Sequence, residues 1–526
     1  MARRRIRPGL IAVGLVLSLA GLALTGPSVS AAKNSKPVKG GTLTFIQQVD
    51  PRSLDPITMS TASQAAGTGM FFNAFGALVY LDTATQTIKP LLAESLESPD
   101  DGLTWILKLL PNLKFSDNTP LNAEAVKFNW DRITNPANAS LGAATFSSVA
   151  SYTVTDPLTI TLTLKTKNSF FGNTIATSAM SYIGSPAAIQ QLGADFGSKP
   201  VGAGPFLLKE WIRADHSTWT PNPAFVNAKK VNLDEVIVRP ITESVPKQTA
   251  FSTGVANLVW TGQLPDVEAM EAADGKTTKF PLVGGISLVY NMAKAPFTDP
   301  TVRTAFAQAM DRGMIAANVW KEPTPLQKGL LPESSAVLDP KALYAKKDLP
   351  AAQKAIDAYT AKNGAITISL LHTTGSQFIL DSATILKQQL EQLEGVTVNL
   401  DGIDQAALIA RWRGGDWTMT FSGLSTGVTP DPVLYNAFRT GGSFNFWNYS
   451  NPNVDAALDH SRLTTDPKEQ KADFGTVQKE VTKDGFFPPI NAINYFLVGA
   501  KNVNVFGYGD GVPRTDLIWI GKGAKS

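Results

Sequence analysis

Residues 365–400 constrain the fold more tightly than any other stretch. Ile366, Ile368 and Leu370 alternate with polar neighbours, Ile379, Ala383, Leu386, Leu390 and Leu393 then recur at helical spacing, and Val396, Val398 and Leu400 alternate again after Gly395, a residue suited to ending a helix. A strand, a helix and a second strand in so short a span imply a parallel pair joined by a right-handed crossover, hence an α/β layer. His372-Thr373-Thr374-Gly375 stand at the carboxyl end of the first strand, the edge at which open α/β sheets hold ligands. His372 is a candidate ligand contact on that ground; the other reading is a hydrogen-bonded loop residue.

The rest of the chain is patterned differently. Trp105, Leu107 and Leu109 alternate with Thr104, Ile106 and Lys108, which predicts a half-buried strand. Pro111-Asn112 and Ser116-Asp117-Asn118 punctuate the chain after it, and Asn122 can cap a helix whose Val126, Trp130 and Ile133 share a face. Tyr152 and Val154, the turn Asp156-Pro157 and the alternating Ile160, Leu162 and Leu164 read as a hairpin completing a small sheet domain begun near residue 81. Further on, Asp299 can cap a helix with Pro300 at its first position and Val302, Phe306, Ala309 and Met310 as its buried stripe. A chain of 526 residues exceeds one ordinary core and suggests two or three domains. With 43% apolar and 17% charged residues it is expected to fold.

Composition excludes several functions. Arg3, Arg4, Arg5 and Arg7 precede an uncharged run at 10–24 and small residues at Val29-Ser30-Ala31, the pattern of a secretory leader with cleavage near Ala31 or Ala32. The 47 basic residues less those four leave 43 against 44 acidic ones, so no basic surface calls for nucleic acid. There is no cysteine, which excludes disulfides, a thiol nucleophile, thiolate-bound zinc and a lipidated N-terminal Cys. The three histidines, His216, His372 and His460, lie far apart, with no metal-ligand spacing. The chain is therefore expected to be exported, to a periplasm or cell-envelope space, without a lipid anchor and without a cofactor.

A series of blocks in fixed order resembles the bacterial extracellular solute-binding proteins of the oligopeptide/dipeptide/nickel type, the receptors of ABC importers. They are Gly40-Gly41-Thr42-Leu43 with Leu54-Asp55-Pro56; Ala93-Glu94-Ser95 with the strand around Trp105; the turn Lys114-Phe115-Ser116-Asp117-Asn118-Thr119-Pro120; and Gly202-Ala203-Gly204-Pro205. Tyr290-Asn291 with Pro296-Phe297-Thr298-Asp299 and the loop from Gly441 to Asn451-Pro452 continue the series. Asn118 stands where the family usually has Gly, a mild departure because Asn tolerates positive φ. The resemblance implies an α/β, two-lobe periplasmic-binding-protein (Venus-flytrap) fold with mixed sheets and an extra small sheet domain. The expected division is a signal peptide at 1–31, a first lobe from 32–80, 190–283 and 490–526, the small domain at 81–189 and a second lobe at 284–489. It also implies a monomeric, non-enzymatic receptor that traps a small ligand by hinge closure and delivers it to an ABC permease.

The candidate ligand residues are Asp50 and Arg52 before the first turn, the segment Leu424-Ser425-Thr426-Gly427-Val428, and Asn445 and Trp447 in the later loop, with His372 added for its strand-end place and Trp260 as an aromatic available for stacking. Asp50 matches an acidic residue that faces the ligand in peptide binders; as a residue it equally suits capping a turn. Val428 falls where peptide binders carry the carboxylate that pairs with the peptide's α-ammonium. A neutral residue there argues against ordinary peptides, because a buried ammonium without a partner costs several kcal/mol. An oligosaccharide is favoured and a modified peptide comes next, with Trp260, Trp412, Trp417, Trp447 and Tyr449 available for stacking unless they are simply core. A secreted serine hydrolase competes, because Gly423-Leu424-Ser425-Thr426-Gly427 fits the nucleophile-elbow pattern with His460 downstream. Thr429-Pro430-Asp431-Pro432, however, falls where that elbow needs a helix. A stand-alone ligand sensor is a third possibility.

Overall fold

The computed structural model describes residues 36–59, 64–321, 328–333, 335–424 and 429–521. The expected leader at 1–31 and the candidates Ser425, Thr426, Gly427 and Val428 lie outside the described residues. Lys36–Ser526 form one compact unit, built on three main sheets.

The largest sheet has seven strands in the order Lys276–Pro281, Asn494–Gly499, Leu258–Thr261, Thr42–Gln47, Glu235–Pro240, His216–Pro221, Phe206–Ile212. Thr42–Gln47 runs parallel to both of its neighbours, and the other pairings are antiparallel. Period two divides its side chains between two cores: Phe45, Leu258, Trp260 and Leu497 face one, Ile46, Val259 and Val498 the other.

The stretch 91–132 folds as its pattern predicts. Thr104–Leu109 buries Trp105, Leu107 and Leu109 and lies second in an antiparallel sheet ordered Ala93–Glu97, Thr104–Leu109, Thr159–Leu164, Val149–Asp156. Asn122 accepts the Ala125 N–H to cap Ala123–Thr134, whose Val126, Trp130 and Ile133 are buried. Arg132 on the same helix forks onto Asp55 at 3.0 and 2.6 Å and so ties the small sheet to the first one. Asn118 has φ 67°, the left-handed conformation its turn requires. Gly202 and Gly204 allow close approach: a Cβ on either would lie 2.3 Å from the carbonyl oxygen of Ala74 or Asn73 respectively.

The second sheet is ordered Ile286–Tyr290, Met419–Gly423, Ile366–Thr373, Val396–Ile403. Ile366–Thr373, the helix Gln377–Leu390 and Val396–Ile403 form the expected crossover, the two strands pairing in parallel along their whole length. Asp299 caps Pro300–Ala309 through the Thr301 N–H. A separate core surrounds this sheet, from Leu288 and Phe306 to Phe486 and Ile490. One feature differs from the pattern reading. Thr429-Pro430-Asp431-Pro432, expected to break a helix, instead opens Pro430–Phe438, with Asp431 alone keeping extended angles because the following Pro excludes the α region for it. Pro489 makes one isolated bridge to Ser287, since proline lacks the N–H a ladder needs, and Asn494–Gly499 is the strand that returns to the first sheet.

Between the two main cores, the one that holds Phe45 on the first sheet and the one around the second sheet, the chain crosses twice, at 282–286 and 490–493, and the crossings are bonded to each other. Leu282 N donates to Ile493 O (3.3 Å), Ile493 N to Gly284 O (3.4 Å) and Ile490 N to Ile286 O (2.7 Å). Ile286 N reaches the Asn491 side chain at 2.7 Å. Glycine is required here: Gly284 has φ +89°, and a Cβ on Gly285 would lie 1.8 Å from Asn491 O.

Candidate functional site

The carboxyl ends of Ile366–Thr373 and Met419–Gly423 lie side by side, with Ile286 of the antiparallel neighbour paired to Gly423. Beyond this edge is a cavity of ≈ 380 Å³ lined by Ile286, His372, Thr373, Ile379, Leu408, Trp412, Phe421, Ser422, Gly423 and Ile493. Each wall has a local cause. His372 and Thr373 end a strand whose alternation begins at Ile366; Ile379 opens the crossover helix, capped by Ser376. Leu408 and Trp412 come from Gln405–Gly414, and Ile286 and Ile493 from the two crossings.

The electrostatics are sparse. Among the described lining residues His372 is the single ionisable side chain; it is 5% exposed, with Nδ1 3.3 Å from Thr373 O. Trp412 Nε1 donates to Thr420 Oγ1 at 3.3 Å, and that hydroxyl donates to Leu371 O at 3.0 Å. Arg411 and Asp401 neutralise each other at 2.6 Å and do not line the cavity. No group of three or more metal-ligating side chains exists among the described residues.

The sequence candidates are dispersed. His372 is in the cavity wall, and Leu424, 2% exposed, donates its N–H to Gly285 O at 3.2 Å beside the crossings. Asp50 takes the turn-capping role: its carboxylate accepts from Trp211 Nε1 (2.9 Å) and Ala214 N (2.9 Å) and pairs with Arg213 (3.1 Å). Arg52 is exposed, and its carbonyl accepts from Arg213. Trp260 is buried with its ring 4.7 Å from that of Tyr495 and its Nε1 without a hydrogen-bond partner among the described residues. Asn445 spends its amide within its own loop, donating to Arg439 O and Tyr449 O and accepting from Tyr449 N. Trp447, 1% exposed, donates to Ala437 O at 2.7 Å and packs on Phe487. Trp417 and Tyr449 are core as well, so of the aromatic rings considered for stacking only Trp412 reaches the cavity. Pattern reading missed Ile379, Leu408, Phe421 and Ser422 as site residues; the strand-end rule that singled out His372 applies equally to Phe421 and Ser422. Ile493 carries no such signal.

The model for "Bacterial extracellular solute-binding proteins, family 5 Middle" matches residues 87–446. Among curated proteins the chain is similar to the glutathione-binding protein GsiB of Escherichia coli O6:K15:H31 (strain 536 / UPEC), 28% identical over 539 residues, covering 97% of both chains. Among solved structures it is similar to the oligopeptide-binding protein AppA from Bacillus subtilis in complex with a nonapeptide (TM-score 0.72, 19% identity, 93% of this chain and 100% of that one). It is also similar to AgaA from A.tumefacien R10 in complex with agropinic acid (TM-score 0.73, 24% identity, 92% and 99%).

The chain belongs to family 5 of the bacterial extracellular solute-binding proteins. It is a substrate-binding protein of an ABC importer with the α/β fold of that class, and the hydrolase reading of Ser425 falls away because its relatives bind and do not catalyse.

Proposed function

We propose that the two cores are the lobes of a closing receptor, divided at 32–80, 190–283 and 490–526 for the first, 81–189 for the small domain and 284–489 for the second. The ligand sits against the carboxyl edge of the second sheet and is peptide-like, without a free α-ammonium. The observation that carries this is the cavity itself, walled by strand ends of one lobe and by both crossings, so that a ligand there touches the elements on which closure turns. Val428 in place of the expected carboxylate supports the missing ammonium. An oligosaccharide, first favoured for its stacking partners, has lost all of them but Trp412 to the core. The receptor works as an exported monomer.

Mass spectrometry of the molecule that co-purifies, followed by thermal shifts, tests this reading. N-acetylated tripeptides are expected to raise the melting temperature, and free-amine tripeptides, glutathione and oligosaccharides to leave it unchanged. Ligand at ~100 times its Kd adds ~2.7 kcal/mol of stability, well within detection. Tight binding of a free-amine tripeptide or of glutathione would sink the claim about Val428.

A further inference from the structure

We infer that the cavity is a specificity subsite for one uncharged, apolar group of the ligand, an aliphatic or aromatic side chain, and that it turns away ligands presenting a carboxylate or an ammonium at that point. The inference rests on the binding-protein reading above and adds the class of chemical group selected.

Six of the walls are apolar: Ile286, Ile379, Leu408, Trp412, Phe421 and Ile493. Ile379, Leu408, Trp412 and Phe421 are all at least nine-tenths buried, so what enters meets packed hydrocarbon on several sides. Two of the polar atoms nearby are already engaged. Trp412 Nε1 is held by Thr420, and Thr373 Oγ1 accepts the Gly375 N–H at 3.2 Å. Arg411 and Asp401, the ion pair on the neighbouring helix and strand, satisfy each other outside the lining. An ion placed in such a cavity would lose its water and find, among the lining side chains, only the His372 imidazole and the Ser422 and Thr373 hydroxyls as polar partners, too few to replace its hydration shell, which is strongly unfavourable. An apolar group loses nothing and sheds its hydration. A volume of ≈ 380 Å³ lies at the low end of small-molecule pockets, enough for one part of a ligand. Because Ile286 and Ile493 belong to opposite crossings, a side chain filling the cavity also bridges the two strands of the hinge.

Calorimetry on the purified chain tests this with two tripeptide series, Ala-X-Ala and N-acetyl-Ala-X-Ala, in which X is Leu, Phe, Glu or Lys. In whichever series binds, Leu and Phe are expected to bind at least tenfold more tightly than Glu and Lys. Ile379→Glu is expected to weaken the Leu and Phe peptides at least tenfold and to favour Lys. The wild-type preference needs no variant and decides the matter if I379E does not fold. Glu or Lys binding as tightly as Leu would overturn the subsite while leaving the peptide-like reading intact. Failure of every peptide, with a melting shift from maltotriose or cellotriose, would overturn both.

Discussion

Gly285 occupies a position that no other residue can take without displacing a neighbour. Its missing Cβ leaves room for the Asn491 carbonyl, and at Gly284 the positive φ and the Leu424 side chain impose a second restriction. Gly285→Ala should therefore cost about 2–3 kcal/mol of stability, as overpacking of a tight site does, read as a lower denaturation midpoint with an unchanged denaturant slope. Asp50 shows how much a single residue's partners add to a resemblance. By position it matches a ligand-facing acid, yet its carboxylate is spent on the 211–214 turn and is only 15% exposed. Asp50→Ala is expected to lose about 1–2 kcal/mol through those bonds, detectable in the ligand-free protein by thermal melting.

Elements here are pinned to one another by buried ion pairs. Asp431, 1% exposed, takes both Arg462 Nε (2.6 Å) and Nη2 (3.1 Å), and the guanidinium lies 3.2 Å from the centre of the Tyr435 ring. This joins Pro430–Phe438 to Pro452–Leu463. The Arg462 carbonyl then accepts from Ser169 N at 2.8 Å, and Phe170 packs on Phe474, so the small domain is docked on the same helix end. Arg462→Ala leaves an unpaired buried carboxylate and should cost about 3–5 kcal/mol in chemical denaturation. Beside the first sheet Lys247 reaches Asp266 at 3.1 Å, tying Ser244–Ser252 to Leu264–Ala272. Burial opposes ionisation of Asp266, but Lys247 and the Thr261 and Gln248 donors outweigh it and hold the carboxyl below its ordinary 3.8. A depressed folded value means stability present above the unfolded value and lost as pH falls through the folded one. Asp266→Asn should thus melt below the wild type at pH 7, with the gap closing in strong acid; a gap independent of pH would contradict the assignment.

At the largest scale, a chain that passes between its two main cores at one pair of bonded crossings, with Ser169 and Phe170 as a further point of contact on Arg462 and Phe474, predicts a change of shape on binding. Small-angle scattering with a bound N-acetylated tripeptide should show a smaller radius of gyration than without it, and an unchanged profile would count against hinge closure. Legibility declines from fold to site. The crossover unit, the helix capped by Asn122 and the strand carrying Trp105 were readable because local periodicity and capping depend on neighbours a few residues away. The aromatic residues considered for stacking were unreadable in role, because a Trp in a core and a Trp in a binding wall share one composition and differ only in what packs on their faces.

The family, the α/β crossover at 365–400 and the strand-end position that puts His372 in the cavity wall were legible in the residues alone. Packing in three dimensions brought Ile286 and Ile493, far apart in the chain, to one cavity, engaged Asp50 and Asn445 in their own turns, and left His372 as the one ionisable side chain among the described lining residues. The physical reason is the range of the interactions. Secondary structure is set by hydrogen bonds and side-chain spacing within a dozen residues, whereas the polarity of a site is set by burial and pairing among segments that meet only once the chain has folded.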